Sequence, residues 1–334
     1  MTQMQAANEA GRFFLPKFVG GAHSQALFSL CGAVSNYEGN VILDAREVEF
    51  VDPLGIAVLG ALLEPLNGKG VRIDWMSTGV AGYLERMNFF TRCEVTGVEV
   101  PNWARNDRRG SLLELTCVSD SSEVDAAAEK LATAITGEFS DADPDEPYDP
   151  DTGRNSFQSY SVPLRYSLSE LLENSLTHAR REGARDASVW VAAQYYKSRD
   201  MVRFSVVDNG CGFLATLRNH PALGGVQTHS AAVAAALKPR VSCNRDLGVH
   251  DEPINQGVGL TTTAMIAQAG GGGLTITSGD VHHNTQSNSR VMIDGAFWPG
   301  VAIAFTCKRQ TLPDIRIRDL LPPTEMPKHT PRFG

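Results

Sequence analysis

Three polar side chains recur at intervals of four residues in the segment SELLENSLTH, which runs from position 169 to 178. Glu170, Asn174 and His178 would lie along one face of a helix, with leucines on the other side. The amide oxygen of asparagine is a hard ligand suited to Mg²⁺, and a carboxylate can orient or deprotonate a hydroxyl group. The segment therefore predicts either a wall of a nucleotide-binding cleft or an ordinary solvated helix face.

A second candidate is the segment VVDNGCGF at 206–213, which follows a strand of alternating polarity. The Asp208 carboxylate, at the end of this strand, can accept a hydrogen bond from an exocyclic amine such as that of adenine. Gly210 and Gly212 would let the backbone approach a flat base closely. The same residues also fit a hairpin turn, because Asn-Gly after an apolar strand is a common turn signal.

The third candidate is the segment QGVGL at 256–260, directly before a helical pattern. Gly257 and Gly259 would leave unpaired amides at the start of that helix, where the helix dipole favours a phosphate. The segment does not fit a Rossmann fingerprint, because Thr262 occupies the place of the third glycine. It does not fit a P-loop either, because no Gly-Lys-Ser/Thr follows. Alone, this is a weak signal for phosphate binding.

Taken together, the order and spacing of the three segments resemble those of the gyrase/histidine-kinase-type (GHKL) ATPases. The segment at 170–178 is similar to the N box of that family, 208–212 to its first glycine box and 256–260 to its second. The resemblance covers about residues 111–307 and implies a Bergerat-type α/β sandwich, a mixed sheet with helices on one face. The chain departs from the family in its last turn, where Val301 replaces a threonine.

The resemblance also implies roles for individual residues. Asn174 would be the Mg²⁺ ligand, Asp208 would contact adenine, and Glu170 would be the general base in those members that hydrolyse ATP or phosphorylate a serine. His178 matches the Asn-x-x-x-His pattern of the anti-sigma-factor serine-kinase branch, which implies a phosphate contact. The base and phosphate pockets would be shaped by the remaining residues of the boxes, Gly210, Gly212, Gly257, Gly259 and Leu260.

The N-terminal part carries a second resemblance, in the segments VILD at 41–44 and FVDPLGIAVL at 50–59. They are similar to a STAS domain, the fold of anti-sigma-factor antagonists, over about residues 15–105, although a generic βαβ unit would give the same pattern. In phosphorylated members a serine lies between the aspartate and the glycine. Here Pro53 and Leu54 occupy that place, so regulation through phosphorylation of this loop is not expected.

Alternating strands and helices are expected to position these residues, because apolar residues recur with both periods along the chain. Ser122 is the expected N-cap of the helix that follows the first strand of the second unit. A long excursion at 213–256 is typical of a lid or of a disordered segment, and an acidic loop lies at 141–153. Helices are predicted over 53–66, 79–87, 121–136, 167–181 and 260–268, and strands over 41–43, 71–75, 112–118, 187–195, 202–207, 274–277, 290–293 and 302–306.

The length of 334 residues predicts two domains of an α/β (α+β) protein. We expect a STAS-like domain over 1–108, a nucleotide-binding domain over 109–310 and an irregular tail over 311–334. The net charge of -8 argues against nucleic-acid and acidic-membrane partners, which need a concentrated basic surface. No apolar stretch approaches the roughly 20 residues that span a bilayer.

The cysteines and histidines carry no metal-ligand pattern. The six cysteines include no CxxC pair and fit the reduced thiols of a cytoplasmic protein. His250, His282 and His283 lack the spacing of metal ligands and are expected to be surface residues. Cys211, inside the first glycine box, is expected to be a small packing residue.

The sequence therefore predicts a signalling protein that binds ATP and Mg²⁺, with slow ATPase or serine/threonine kinase activity and a STAS-like regulatory partner in cis. The alternative is a non-catalytic interaction module that binds nucleotide only as a structural ligand or not at all. Glu170 favours catalysis, and the missing serine at 53–54 favours the module. A separate protein partner and a homodimer both stay open.

Overall fold

The structure of the protein is a computed structural model, and it describes residues 11–137, 147–150, 153–239, 241, 259–316 and 320. Its N-terminal part alternates short strands and helices. They are β1 (Gly11–Phe14), β2 (Phe18–Val19), α1 (Ser24–Ser35), β3 (Val41–Asp44), β4 (Phe50–Val51), α2 (Pro53–Gly68), β5 (Ile73–Trp75), α3 (Ala81–Arg86) and α4 (Phe89–Arg92). Strands β1, β3 and β5 form a parallel sheet in the order β1-β3-β5, and β2 pairs in parallel with β4.

The rest of the described chain forms a larger sheet with its own helices. The elements are β6 (Leu112–Val118), α5 (Val124–Thr136), α6 (Ser156–Ala179), β7 (Val189–Tyr196), β8 (Met201–Asp208), α7 (Gly212–Leu217), α8 (His229–Ala236), α9 (Gly259–Ala269), β9 (Gly273–Gly279), β10 (Val281–Asn284), β11 (Arg290–Val291) and β12 (Trp298–Cys307). The seven strands lie in the order β11-β10-β9-β12-β8-β7-β6. The α/β class predicted from the sequence is confirmed.

The prediction of a mixed sheet is wrong for these seven strands, because every neighbouring pair runs antiparallel. The connections give the reason. One crossover helix brings the chain back parallel to the strand it left, but two helices, α5 and α6, lie between β6 and β7. The chain therefore re-enters the sheet at the end from which it departed, and β7 pairs antiparallel with β6.

Both faces of the seven-stranded sheet are covered. Helices α5, α6 and α9 pack on one face, and α2 and α1 of the N-terminal part pack on the other. Side chains alternate between the two cores: Val206 belongs to the core beneath α6, and its neighbour Val207 belongs to the core shared with α2. Strands buried on both faces read as nearly continuous apolar runs, as VWVAA does at 189–193.

Helix α2 forms the layer between the two sheets. It begins where the Asp52 carboxylate accepts a 3.0 Å hydrogen bond from the Gly55 amide, with Pro53 in the first turn. Its buried residues share one hydrophobic cluster with Ile73 of β5 and Trp190 of β7. The N-terminal part and the large sheet therefore have a continuous core.

Two helix starts differ from the sequence predictions because local capping boxes were overlooked. Helix α6 begins at Ser156 rather than 167, since the Asn155 side chain accepts from the Gln158 amide at 2.8 Å and Gln158 reciprocates. The expected N-cap at Ser122 is also wrong. Asp120 caps the short 3₁₀ turn that precedes α5.

Several predicted segments lie partly outside the described residues. The excursion at 213–256 holds α7 and α8, while 240 and 242–256 are outside. Most of the acidic loop at 141–153 and of the tail at 311–334 is outside as well, although a 3₁₀ turn spans Arg309–Asp314. Within the described ranges, none of the helices has the length and apolar character needed to cross a bilayer.

Candidate functional site

A cavity lies on the face of the seven-stranded sheet that carries α6 and α9. The space between its walls is about 740 Å³ when the open mouth and the solvent in it are included. The walls come from α6, α7, α8 and α9 and from the ends of β8 and β12. Six of the nine residues predicted from the sequence line it: Asn174, His178, Asp208, Gly212, Gly259 and Leu260.

Helix α6 supplies the first wall because its apolar side is held against the core. Leu168, Leu172 and Leu176 are buried there, and this orientation brings Asn174 and His178 to the cavity. Two of the three residues in the predicted polar stripe, Asn174 and His178, therefore line the cavity rather than an open solvated face. A neutral amide and an imidazole, one turn apart, line the same wall.

Glu170, one turn before Asn174, is not among the described residues that line the cavity. Burial raises the pKa of its carboxyl group above the ordinary value, a hydrogen bond with Tyr166 opposes this, and Glu173 adds to it. A carboxylate with a raised pKa is a better proton acceptor than an exposed one. The general-base role that the resemblance implies for Glu170 stays a prediction.

His178 is electrically neutral near pH 7. Burial, with a smaller contribution from Arg181, lowers the pKa of its imidazole to about 4. A neutral ring can donate or accept one hydrogen bond at each nitrogen, but it adds no positive charge. Any phosphate contact of His178 would therefore be a single hydrogen bond rather than an ion pair.

Asp208 ends β8 with its side chain on the cavity side and only 3% of the residue exposed. Burial raises the pKa of its carboxyl group to about 7, against the opposing effect of hydrogen bonds from the Gly210 and Val301 amides. The Gly210 amide donates to Oδ1 at 3.0 Å. A carboxyl group this poorly hydrated gains strongly from a ligand that donates a hydrogen bond to it.

The two glycines after Asp208 are required by backbone geometry. A Cβ at Gly210 would lie 2.3 Å from the Ala179 carbonyl oxygen, so only glycine lets this turn pack against the end of α6. Gly212 has φ of 70° and starts α7. Because a helix follows β8, the hairpin interpretation of Asn-Gly is wrong. Gly212 lines the cavity, whereas Gly210 supports it from outside.

The second glycine segment is described only in part. Gly259 opens α9 and packs against α6, because a Cβ there would lie 3.1 Å from the Leu171 amide nitrogen. Gly259 and Leu260 both line the cavity. Gly257 lies outside the described residues, so its predicted phosphate contact stays a prediction.

Some residues at the cavity were not assigned a role from the sequence. Val301 of β12 lines the cavity, and its amide hydrogen-bonds to Asp208. A nearby hydroxyl belongs to Ser278 of β9, whose Oγ accepts from the Phe213 amide at 3.2 Å. Helix α7 adds an apolar wall through Phe213 and Leu217. No local sequence pattern marks these residues, so only the tertiary structure identifies them.

No group of three histidine, cysteine or carboxylate side chains within the described residues could hold a metal ion by itself. The Mg²⁺ ligand role that the resemblance implies for Asn174 stays a prediction.

The expectation that His282 is a surface residue is wrong. Its ring is buried between β9 and α1, at 2.8 Å from the Thr277 hydroxyl and 3.5 Å from that of Ser24, and burial lowers its pKa to about 4. His283 is partly exposed and hydrogen-bonds to Ser289. His250 lies outside the described residues. Cys211 donates to the His178 carbonyl oxygen at 3.4 Å and serves as a packing residue.

Comparisons of the chain with protein-family models, with curated proteins and with solved structures found no match.

Proposed function

We propose that the cavity binds ATP together with Mg²⁺. The observation that carries this proposal is the buried Asp208 carboxyl group, which shares one cavity with Asn174 and with the first turn of α9. A buried acceptor suits the adenine amine, an amide oxygen suits Mg²⁺ at the phosphates, and a helix N-terminus suits a phosphate. Apolar side chains between them suit the faces of a base.

The proposed signalling role combines this GHKL-like site with the STAS-like N-terminal part as a partner in cis. The loop at 52–55 is not supported as the acceptor of a phosphoryl group. It lies beside Arg203, whose Nη1 is 3.5 Å from the Asp52 carboxylate, near the start of β8, whereas Asp208 is at the end of that strand. The phosphoryl acceptor that we propose is water or a hydroxyl of another protein.

Titration of the purified protein with ATP, with and without Mg²⁺, tests the binding proposal. We expect the wild type to bind ATP. Asp208→Ala should bind at least tenfold more weakly, because it loses a hydrogen bond to a charged group. Asn174→Ala should lower affinity in Mg²⁺ to the value that the wild type has without the ion. Absence of wild-type binding at millimolar ATP would refute the proposal.

The second candidate is a module that binds nucleotide without turnover, and the position of Glu170 beside the cavity favours it. Phosphate release by the wild type and Glu170→Ala separates the two functions. Loss of phosphate release in the variant with retained ATP affinity supports catalysis. No release above the protein-free background by either protein supports the module, and equal release above that background excludes Glu170 as the general base.

A further inference from the structure

Glu64 joins the N-terminal part to the turn that follows Asp208. It lies on α2, on the face of the large sheet opposite the cavity. Its Oε2 atom accepts hydrogen bonds from the Asn209 side-chain amide at 2.9 Å and from the Trp190 indole at 3.0 Å. The Ser188 hydroxyl also donates to Oε2. Three donors, one in β7, one just before it and one just after β8, therefore converge on one carboxylate oxygen of α2.

Asn209 is held at both ends of its amide. Its Oδ1 accepts from the Ser188 backbone amide at 2.9 Å, and its Nδ2 donates to Glu64 and to the Ala61 carbonyl oxygen. Because Asn209 follows Asp208 directly, these bonds fix the direction in which the chain leaves β8. The adjacent Asp208 side chain points to the cavity on the other face.

A second bond to the same backbone comes from β12. The Trp298 indole donates to the Asp208 carbonyl oxygen at 2.9 Å, and its ring packs against Phe28 of α1, with the centroids 6.1 Å apart. Helix α2 therefore contacts the Asn209 side chain directly, and α1 contacts Trp298, which donates to the Asp208 carbonyl oxygen. Residues of the N-terminal part, which do not line the cavity, thus help to hold the turn at Asp208.

We propose that Glu64 is a positioning residue that couples the N-terminal part to the nucleotide site through Asn209 and Asp208. The inference rests on the proposed function, since it concerns the affinity of that same site. A contact that orients the Asp208 carboxyl group raises nucleotide affinity, and by linkage a bound nucleotide stabilises the contact by the same factor. A ligand or partner that shifts α2 would change nucleotide affinity without entering the cavity.

The test compares Glu64→Ala with Leu63→Ala, which removes a fully buried side chain from the same helix, one that cannot form a hydrogen bond to Asn209. Calorimetric titration with ATP-Mg²⁺ and urea unfolding are measured for each. We expect about tenfold weaker binding in Glu64→Ala, and an affinity within about twofold of the wild type in Leu63→Ala despite its lower stability. Glu64→Gln, which keeps an acceptor oxygen, should recover most of the loss.

Hydrogen exchange of the wild-type protein tests the same coupling without any substitution. ATP-Mg²⁺ should slow exchange of the amides in the second half of α2 while leaving α3 unchanged. Unchanged affinity in Glu64→Ala, equal losses in both alanine variants, or indifferent exchange in α2 would overturn the coupling while leaving ATP binding in place. Failure of the wild type to bind ATP would instead remove the proposed function, and the coupling with it.

Discussion

Asp208 is a carboxyl group that the fold holds almost out of water and supplies with two backbone donors. Such a group is costly to ionise, and it is therefore selective for a ligand that donates a hydrogen bond. The neighbouring His178 is neutral for the same reason, burial. In the proposed function, recognition of the base would therefore depend on desolvated groups rather than on accumulated charge.

Nucleotide affinity should depend on the ionisation of Asp208. The free protein has a pKa of about 7 at this group, so protonation below pH 7 replaces the charged acceptor that an adenine amine prefers with a weaker neutral one that also carries a donor. We expect affinity to fall about tenfold between pH 8 and pH 6. Adenosine is the better probe, because it carries no phosphate that titrates in this range. Binding of adenosine that is constant across this interval would contradict the assignment of Asp208.

The same group should destabilise the unliganded protein at high pH. Folding raises its pKa from 3.8 to about 7, so the folded protein binds more protons than the unfolded chain between those values. Its free energy of unfolding should therefore fall as pH rises through that interval. Asp208→Asn removes this effect. Between pH 4 and pH 8, the free energy of unfolding of the variant should rise relative to that of the wild type by on the order of 2–4 kcal/mol.

Urea unfolding of both proteins at the two pH values measures this difference. If the two proteins differ in free energy of unfolding by the same amount at pH 4 and at pH 8, Asp208 does not titrate with a raised pKa. The stabilised variant should at the same time bind ATP poorly, since an amide in place of the carboxylate adds a donor where an acceptor is needed.

At the scale of elements, the helices and strands that could be predicted from the sequence are those with a clear local pattern of apolar residues. Helices α2, α5 and α9 and strands β7, β8 and β12 follow from apolar periodicity within one segment, and so does the helical stripe of Asn174 and His178. The start of α6 does not, because its first half carries Pro163 and little periodicity. Strand order and antiparallel pairing depend on contacts between distant segments, which the spacing of residues in one chain does not reveal.

The capping box at the start of α6 should contribute to stability alone. Asn155→Ala removes the acceptor for the Gln158 amide and should cost about 1 kcal/mol. ATP affinity should be unchanged, because the cap lies at the opposite end of α6 from Asn174 and His178. Urea unfolding and ATP titration check the two statements. A large loss of affinity in this variant would mean that the whole of α6 moves when its first turn loosens.

At the scale of the whole molecule, the N-terminal part covers the second face of the large sheet. That cover was not predicted from the sequence, although one signal was present: the strand segment at 189–193 is apolar on both faces. A sheet that needs helices on both sides implies a partner layer, and here α1 and α2 of the same chain provide it. The interface is a continuous core rather than a polar docking surface.

Removal of residues 1–108 should therefore leave a sheet that cannot stay soluble by itself. The exposed face would present Trp190, Val207, Trp298 and Ala302, which are all buried in the full chain, and apolar patches of this kind promote aggregation. We expect the fragment to aggregate, or to bind a hydrophobic dye strongly, in gel filtration and fluorescence assays. A soluble fragment that binds ATP with full affinity would contradict both this expectation and the coupling through Glu64.

The central claim is that one cavity brings an adenine acceptor and a metal ligand to the same nucleotide. A structure determined with a non-hydrolysable ATP analogue and Mg²⁺ tests it most directly. We predict the adenine amine within about 3 Å of the Asp208 carboxylate and Mg²⁺ at about 2.1 Å from the Asn174 amide oxygen. An ordered analogue bound elsewhere on the molecule, or a cavity that stays empty at saturating concentration, would contradict the account.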